Sequence, residues 1–382
     1  MVKTKILHII KSLGRGGAEM LLPESLQLHN KNNFEFHYIY FLPWKDQMVE
    51  SLQKAGGEVT CFEAKNNIRL ILQGNKVIEY CKDHGIDLIH CHLPWAGFLG
   101  RWVHKQTGIP VLYTEHNMQE RYHVATKTIN KLSFNSQTLA FGVSQDVTDS
   151  INTNIKPSIP VKTLLNGVNT DRFKRNESVA VRSELGIPAD ALVIGNVAVF
   201  RFQKRLVEWL QVFKELKEDN PSIYGIIVGA GPLEDEIKAE LQRLNLESSV
   251  FFPGLQTEVR PYFEAMDIFM MSSQFEGLPI ALLEAMSMEC AVVATNAGGI
   301  KEVIRNEVDG LTCEVENWKE LVPLCEKLIN NPEQLQKLKI AARERVVEAF
   351  SLQRMVEELE GYYTTYAQNI KKSIRIEPTV TN

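Results

Sequence analysis

Short apolar runs rich in β-branched residues alternate with amphipathic stretches along most of the chain, the pattern of parallel strands covered by helices. Residues 6–10 read as a buried strand, 11–17 as a glycine-containing loop, and 18–30 as a helix with Met20, Leu21, Leu22, Leu26 and Leu28 as its apolar positions. Further strands are predicted at 36–41, 58–62, 88–91, 111–114, 139–143 and 161–165, with helices between most of them. Residues 172–190 are polar and punctuated by proline, which suits an inter-domain connection. A second series follows, with strands at 193–199, 224–228, 250–252, 268–271 and 292–294 and helices at 206–219, 233–244, 260–265 and 279–288. Helices at 320–329, 332–350 and 352–366 complete it, and 371–382 lack periodicity and read as a disordered tail. The 382 residues therefore predict an α/β chain of two Rossmann-like domains, 1–170 and 171–351, each opening with strand, loop and helix.

Composition narrows the class. Hydrophobic residues make up 44% and charged residues 23%, as in soluble globular proteins. No run approaches the roughly 18 apolar residues of a spanning helix, and the first residues show no signal-peptide pattern. The six cysteines are scattered without a C-x-x-C pair, which points to a reduced, cytoplasmic location. Residues 1–170 carry a net +4 and the remainder −9. A basic first half is suited to an anionic surface such as the cytoplasmic membrane face, or to a phosphate-bearing acceptor; the plain alternative is an ordinary surface. No basic stripe interleaved with aromatics occurs, so nucleic acid is not an expected partner.

The most informative segment is Ser273-Gln274-Phe275-Glu276-Gly277-Leu278-Pro279-Ile280-Ala281-Leu282-Leu283-Glu284. Pro279 fits the first helical position, where its missing N–H costs nothing. Gly277 lets backbone approach a ligand closely, and the helix start offers unpaired N–H groups to an anion. Glu276 lies in the loop, and Glu284 about 7.5 Å along the helix axis, within reach of a ribose diol. A carboxylate on each side of a phosphate site suits a nucleotide-sugar; for two glutamates alone, a surface residue and an ordinary helix residue would be the better reading. His90-x-His92 lacks a third and fourth metal ligand nearby, so structural histidines are expected and no metal. Gly14-Arg15-Gly16-Gly17 lacks the G-x-G-x-x-G spacing of a dinucleotide site.

With these residues the chain resembles the retaining glycosyltransferases of family 4, whose hallmark is the Glu-x7-Glu segment Glu276–Glu284. Gly14-Arg15-Gly16-Gly17-Ala18-Glu19 looks like the family's N-terminal loop, and His90-Cys91-His92 and Thr114-Glu115-His116-Asn117 are similar to its strand-end segments. Asn166-Gly167-Val168 with Phe173, Ile227–Pro232, Phe252-Pro253-Gly254, Asn296-Ala297-Gly298-Gly299 with Glu302, and Asp309-Gly310-Leu311 continue the register. The family sets an Arg and, five positions on, a Lys against the donor diphosphate. Lys204 fits the second, whereas Val199 stands at the first, two residues before Arg201 on the same loop. Arg201 is the candidate replacement, with a solvated loop residue as the plain alternative; Arg205 should be turned away by its helix.

The resemblance implies a GT-B architecture, two Rossmann-like domains with parallel sheets facing an inter-domain cleft, and a helix at about 352–370 packing back on the N-terminal acceptor domain. It implies transfer of a hexose or N-acetylhexosamine from a nucleotide-diphosphate sugar, UDP-sugar in preference to GDP-sugar, to an acceptor hydroxyl with retention and without a metal or other cofactor. The catalytic candidates are Glu276, His116, Lys204 and Arg201. Donor contacts are expected from Gly16, Gly17, Gly277, Leu278, Pro279, Glu284, Gly254 and Leu255. Trp95, Arg121 and Tyr122 are candidates for the acceptor side, with a core tryptophan and a surface loop as the plain alternative. The acceptor expected is a saccharide or lipid-linked saccharide in polysaccharide or surface-glycan assembly. A sugar-nucleotide epimerase on the same fold, a dehydrogenase and a non-catalytic binding subunit are the rival readings.

Overall fold

The computed structural model describes residues 3–14, 16–176 and 180–374, with side chains as far as Ala367. Two units result, one of Met1–Asn166 with Leu352–Asn382 and one of Gly167–Ser351. The first holds seven strands: β1 (Thr4–Ile9), β2 (Phe34–Tyr40), β3 (Glu58–Cys61), β4 (Leu88–His92), β5 (Val111–Glu115), β6 (Leu139–Gly142) and β7 (Val161–Thr163). Every pairing is parallel, in the order β3-β2-β1-β4-β5-β6-β7. Strands β4, β5 and β6 are buried along their whole length, as a sheet covered on both faces requires. The order reverses between β1 and β4, and the loops leaving their carboxyl ends diverge there, which is where open parallel sheets bind ligands.

A helix from the far end of the chain, Leu352–Ile374, belongs to this unit. Leu352, Met355, Val356, Leu359, Tyr363 and Ala367 recur at three- and four-residue spacing and pack with Leu22, Leu26, Phe34 and Phe36 in one core. The Glu360 carboxylate accepts bonds from His29 Nδ1 at 2.9 Å and the Asn30 amide at 2.7 Å. Residues 371–374, read from composition as the start of a tail, continue this helix, and 375–382 lie outside the described residues.

The second unit holds β8 (Val193–Val197), β9 (Tyr224–Val228), β10 (Val250–Gly254), β11 (Ile268–Met271), β12 (Ala291–Thr295) and β13 (Leu311–Cys313). These too are all parallel, in the order β10-β9-β8-β11-β12-β13, with the reversal between β8 and β11. Strand β13 has only three residues and pairs on one side, too little for a periodic signal. The helix Leu206–Asp219 buries Leu206, Trp209, Leu210, Phe213 and Leu216 against this sheet. Trp209 stacks on Phe213 at 5.4 Å and donates from Nε1 to the Met270 carbonyl at 3.0 Å, tying the helix to β11.

Residues 172–190, expected as a connection, belong largely to the second unit's own packing. Arg175 Nη2 donates to the carbonyls of Glu264 (2.6 Å) and Met266 (3.0 Å), and Arg182 binds the Ala265 carbonyl (3.0 Å) and Asp267 (2.8 Å). A guanidinium with five donors in a fixed fork anchors a polar segment that carries few apolar residues. Residues 177–179 of this stretch lie outside the described residues. Trp209→Ala removes both a buried stack and a hydrogen bond from the strand that leads to the candidate site. It should destabilise the second unit by about 3–5 kcal/mol, read as a lower urea midpoint, and a loss well under 1 kcal/mol would contradict this packing account.

Candidate active site

In the second unit the loops leaving β8 and β11, the strands at the reversal, meet. After β8 the chain passes Val199, which is 38% exposed, and Arg201 into a short 3-10 turn, Phe202–Lys204. Two contacts lace this turn to the β11 loop: the Gln274 amide donates to the Gln203 carbonyl at 2.7 Å, and the Ser272 hydroxyl donates to the Arg205 carbonyl at 2.8 Å. The result brings Lys204 to Glu276, Nζ to Oε1 at 2.6 Å, with the Ser273 hydroxyl donating to the same oxygen at 2.7 Å. Both charged side chains are largely shielded, 18% and 10% exposed, so each depends on the other for compensation. Arg201 is exposed, and among the described residues its guanidinium has no protein hydrogen bond or ion pair. Arg205 turns away, donating to the Val315 carbonyl at 2.8 Å.

A second turn supports the glutamate loop from beneath. Gly298 has φ +56°, and a Cβ there would lie 2.1 Å from the Glu276 carbonyl oxygen. One on Gly299 would lie 1.9 Å from the Gly277 oxygen, to which the Gly299 amide donates at 2.8 Å. Only glycine admits this contact of backbone on backbone. The helix expected from Pro279 begins one residue later, at Ile280, because Pro279 has an extended ψ of 118° and stands as the cap. Leu278 is buried, and Glu284, buried at 5% exposure, is the fifth residue of the Ile280–Ser287 helix. Gly254 ends β10 with φ +76°, followed by exposed Leu255. A cation beside a carboxylate, an unbound guanidinium on the same loop and a helix start can hold a diphosphate next to polyol hydroxyls.

In the first unit, Gly16 caps the helix Gly17–Leu28, one residue earlier than expected, and Arg15 lies outside the described residues. His116 follows β5 and is half-buried, and its backbone is fixed by Glu115. That carboxylate, fully buried, accepts from the His116 amide (3.0 Å), the Asn117 amide (3.2 Å), Tyr113 (2.6 Å), Gln119 (2.8 Å) and Tyr122 (2.5 Å). Burial raises the Glu115 pKa above the usual carboxylate value, against the pull of those donors. Tyr122, a candidate for the acceptor side, thus spends its hydroxyl on Glu115, because a buried carboxylate needs every nearby donor. Arg121 is exposed, and Trp95 is half-buried with its ring edge-on to Phe98 at 5.2 Å. Sequence alone assigns Glu115 no role; its one signal is a carboxylate at the carboxyl end of a largely apolar strand.

His116 is also the outer end of a histidine cluster with His8, His90 and His92, all three buried. Burial, reinforced by the neighbouring rings, holds His8 and His92 well below the usual imidazole pKa and takes His90 to about 3, and burial alone takes His116 to about 4. Neutral in the fold, these rings take up protons in the unfolded chain near the ordinary value of 6.5. Their stabilising effect is therefore complete above that pH and is lost as pH falls from 6.5 towards about 4. Each contributes up to about 1.4 kcal/mol per pH unit inside that window. The urea midpoint should fall already between pH 6.5 and 5, above the range in which ordinary exposed carboxylates titrate; a flat midpoint there would show that these rings are not held neutral.

Comparison with known proteins bears on both units. Residues 15–172 match the Glycosyltransferase Family 4 model, and residues 179–345 match the model for Glycosyl transferases group 1. The chain is 26% identical to the putative glycosyltransferase EpsD of Bacillus subtilis, over 78% of this chain and 81% of that one. It is 22% identical, over 96% and 98% of the two chains, to the Escherichia coli UDP-Gal:alpha-D-GlcNAc-diphosphoundecaprenol alpha-1,3-galactosyltransferase. The crystal structure of Anabaena HepE in complex with UDP-glucose superposes with a TM-score of 0.83 at 20% identity, covering 94% of this chain and 99% of that one. A family 4 model over one half, a group 1 model over the other and two parallel Rossmann-like sheets make this chain a glycosyltransferase of the GT-B fold.

Proposed function

We propose that the protein transfers a hexose or N-acetylhexosamine from a nucleotide-diphosphate sugar, UDP-sugar in preference to GDP-sugar, to an acceptor hydroxyl with retention and without a metal. The observation that carries the reading is the Lys204–Glu276 pair at the sheet reversal of the second unit, beside exposed Arg201 and the helix start at Ile280. A diphosphate competes with the carboxylate for the Lys204 ammonium and recruits the Arg201 guanidinium, so charge that grows on the leaving phosphate is met by two cations. Both bonds to Glu276 fall on Oε1, which leaves Oε2 to accept from sugar hydroxyls and to support positive charge at the anomeric carbon. Glu284 takes the ribose diol, and the His116 ring bonds sugar hydroxyls. The acceptor oxygen attacks the anomeric carbon as its bond to phosphate breaks, and the proton passes to the departing phosphate oxygen. The E. coli relative's name specifies UDP-Gal and a diphosphoundecaprenol-linked acceptor. That supports a saccharide or lipid-linked saccharide here, as does the net +4 of residues 1–170.

One observation favours a second reading, a binding subunit without turnover: Val199 stands where a donor-binding arginine is expected. The two readings separate in solution. In the presence of a chelator, UDP and UDP-sugars should raise the melting temperature more than GDP or ADP and their conjugates. Saturation at 100 times Kd corresponds to about 2.7 kcal/mol; no shift with any nucleotide would remove the proposal. Donor binding without hydrolysis or transfer to any acceptor would establish the binding subunit instead.

With a turnover assay in hand, Glu276→Ala should lower kcat by roughly 100- to 1,000-fold, the usual scale for a group acting on transition-state charge. Glu284→Ala should mainly raise the donor KM. Equal and mild effects of the two substitutions would contradict these roles.

A further inference from the structure

The histidine cluster of the first unit is a single hydrogen-bonded chain of six side chains. Thr114 Oγ1 meets His90 Nε2 at 2.7 Å, and His90 Nδ1 meets the Tyr363 hydroxyl at 2.7 Å. The same hydroxyl meets His8 Nε2 at 3.3 Å, and His8 Nδ1 meets His92 Nε2 at 3.0 Å. His92 Nδ1 then meets His116 Nε2 at 3.4 Å. His8, His90 and His92 lie close enough together to bracket a cation, their ligand nitrogens falling within 4.8 Å of one another. Yet both ring nitrogens of each are already engaged by protein groups, so a metal would have to break bonds that the fold supplies.

A neutral imidazole has one donor and one acceptor nitrogen, and a tyrosine hydroxyl has one proton. Counting protons along the chain leaves two arrangements in which all five links are made and the tyrosine proton is used. In one, every proton points from His116 towards Thr114; in the other, every proton points from Thr114 towards His116. The first turns Thr114 into an acceptor. Its own hydroxyl proton is then without a partner, since among the described residues this 5%-exposed side chain bonds only to His90. The second uses every proton. Thr114 donates to His90, His90 Nδ1–H to Tyr363, Tyr363 to His8, His8 Nδ1–H to His92, and His92 Nδ1–H to His116 Nε2.

We propose that Thr114, His90, Tyr363, His8 and His92 act together as positioning residues that fix the tautomer of His116, holding its proton on Nδ1 and so presenting an N–H donor at that atom. The Nδ1–H form is the minor one for a free imidazole, so the fold selects it through bonds that begin about ten side-chain atoms away. The donor is suited to a hydroxyl or carbonyl oxygen of the sugar substrate; this last step rests on the function proposed above, whereas the tautomer itself does not.

Ring-nitrogen NMR of the full chain labelled with 15N-histidine at pH 7 reads the tautomer directly, the His116 signals being assigned by their loss in His116→Gln. The wild type should show His116 protonated at Nδ1, unchanged by added zinc. Thr114→Val keeps the side chain's shape and removes the terminal donor; Tyr363→Phe breaks the chain in the middle. Each should move His116 towards the Nε2–H form, and kcat should fall about tenfold or more while the donor KM stays within about twofold. A wild-type Nε2–H signal, an unchanged tautomer in Thr114→Val, or displacement of the cluster signals by zinc would each overturn the proposal. A tautomer that shifts as expected without any change in kcat would confirm the positioning and instead remove His116 from the reaction proposed above.

Discussion

A parallel strand can be followed by its neighbour only after the chain has crossed the whole sheet, and this constraint organises the molecule. Every crossover begins at a carboxyl end, so all thirteen strands deliver their loops to one edge of their own sheet. Where the order reverses, two such loops leave in opposite senses and the side chains between them are left uncovered by any crossover helix. In the second unit that geometry sets Lys204 against Glu276; in the first it gathers His8 and His92 at the ends of β1 and β4. The candidate residues lie at these two places because the sheet reversal leaves side chains there uncovered.

The units manage polar groups in opposite ways. The second keeps a formal ion pair at its sheet reversal, where removing either partner strands a shielded charge. The first keeps its rings neutral and spends their nitrogens on one another, while the buried Glu115 carboxylate collects five donors. Behind it, Arg101 is buried, and among the described residues no carboxylate bonds it directly. Its guanidinium lies over the Tyr113 and Phe134 rings at 4.8 and 4.9 Å and bonds Asn130, which reaches Glu115 through Gln119. Arg101 and Glu115 are thus linked through two neutral amides.

What the sequence disclosed follows the range of the forces involved. Strand and helix periods are local, and most elements lie within one or two residues of their expected positions; the helix over Leu206–Asp219 and the strand Tyr224–Val228 coincide with theirs. Short, one-sided β13 carried too few residues to register. Pro279 at a cap in place of the first helical position is a difference of one dihedral, which no pattern of side chains encodes. Loop chemistry and resemblance together point to Glu276 and Glu284, whereas resemblance alone points to Lys204. Tyr363 was not legible, since its partner His90 is 273 positions away. The inward turn of Tyr122 was equally hidden, because it depends on how deeply Glu115 is buried.

The first unit is interrupted in sequence, and that has a temporal consequence. Its core needs Leu352, Met355, Leu359 and Tyr363, which a ribosome adds only after all of Gly167–Ser351 has been made. Synthesis proceeds at about 5–20 residues per second, so the apolar faces of Leu22, Leu26, Phe34 and Phe36 wait many seconds for their cover. During that interval the second unit, continuous in sequence, can close first. The half of the protein that is written first is finished last, and until then its unsheltered surface is exposed to chaperones and to aggregation.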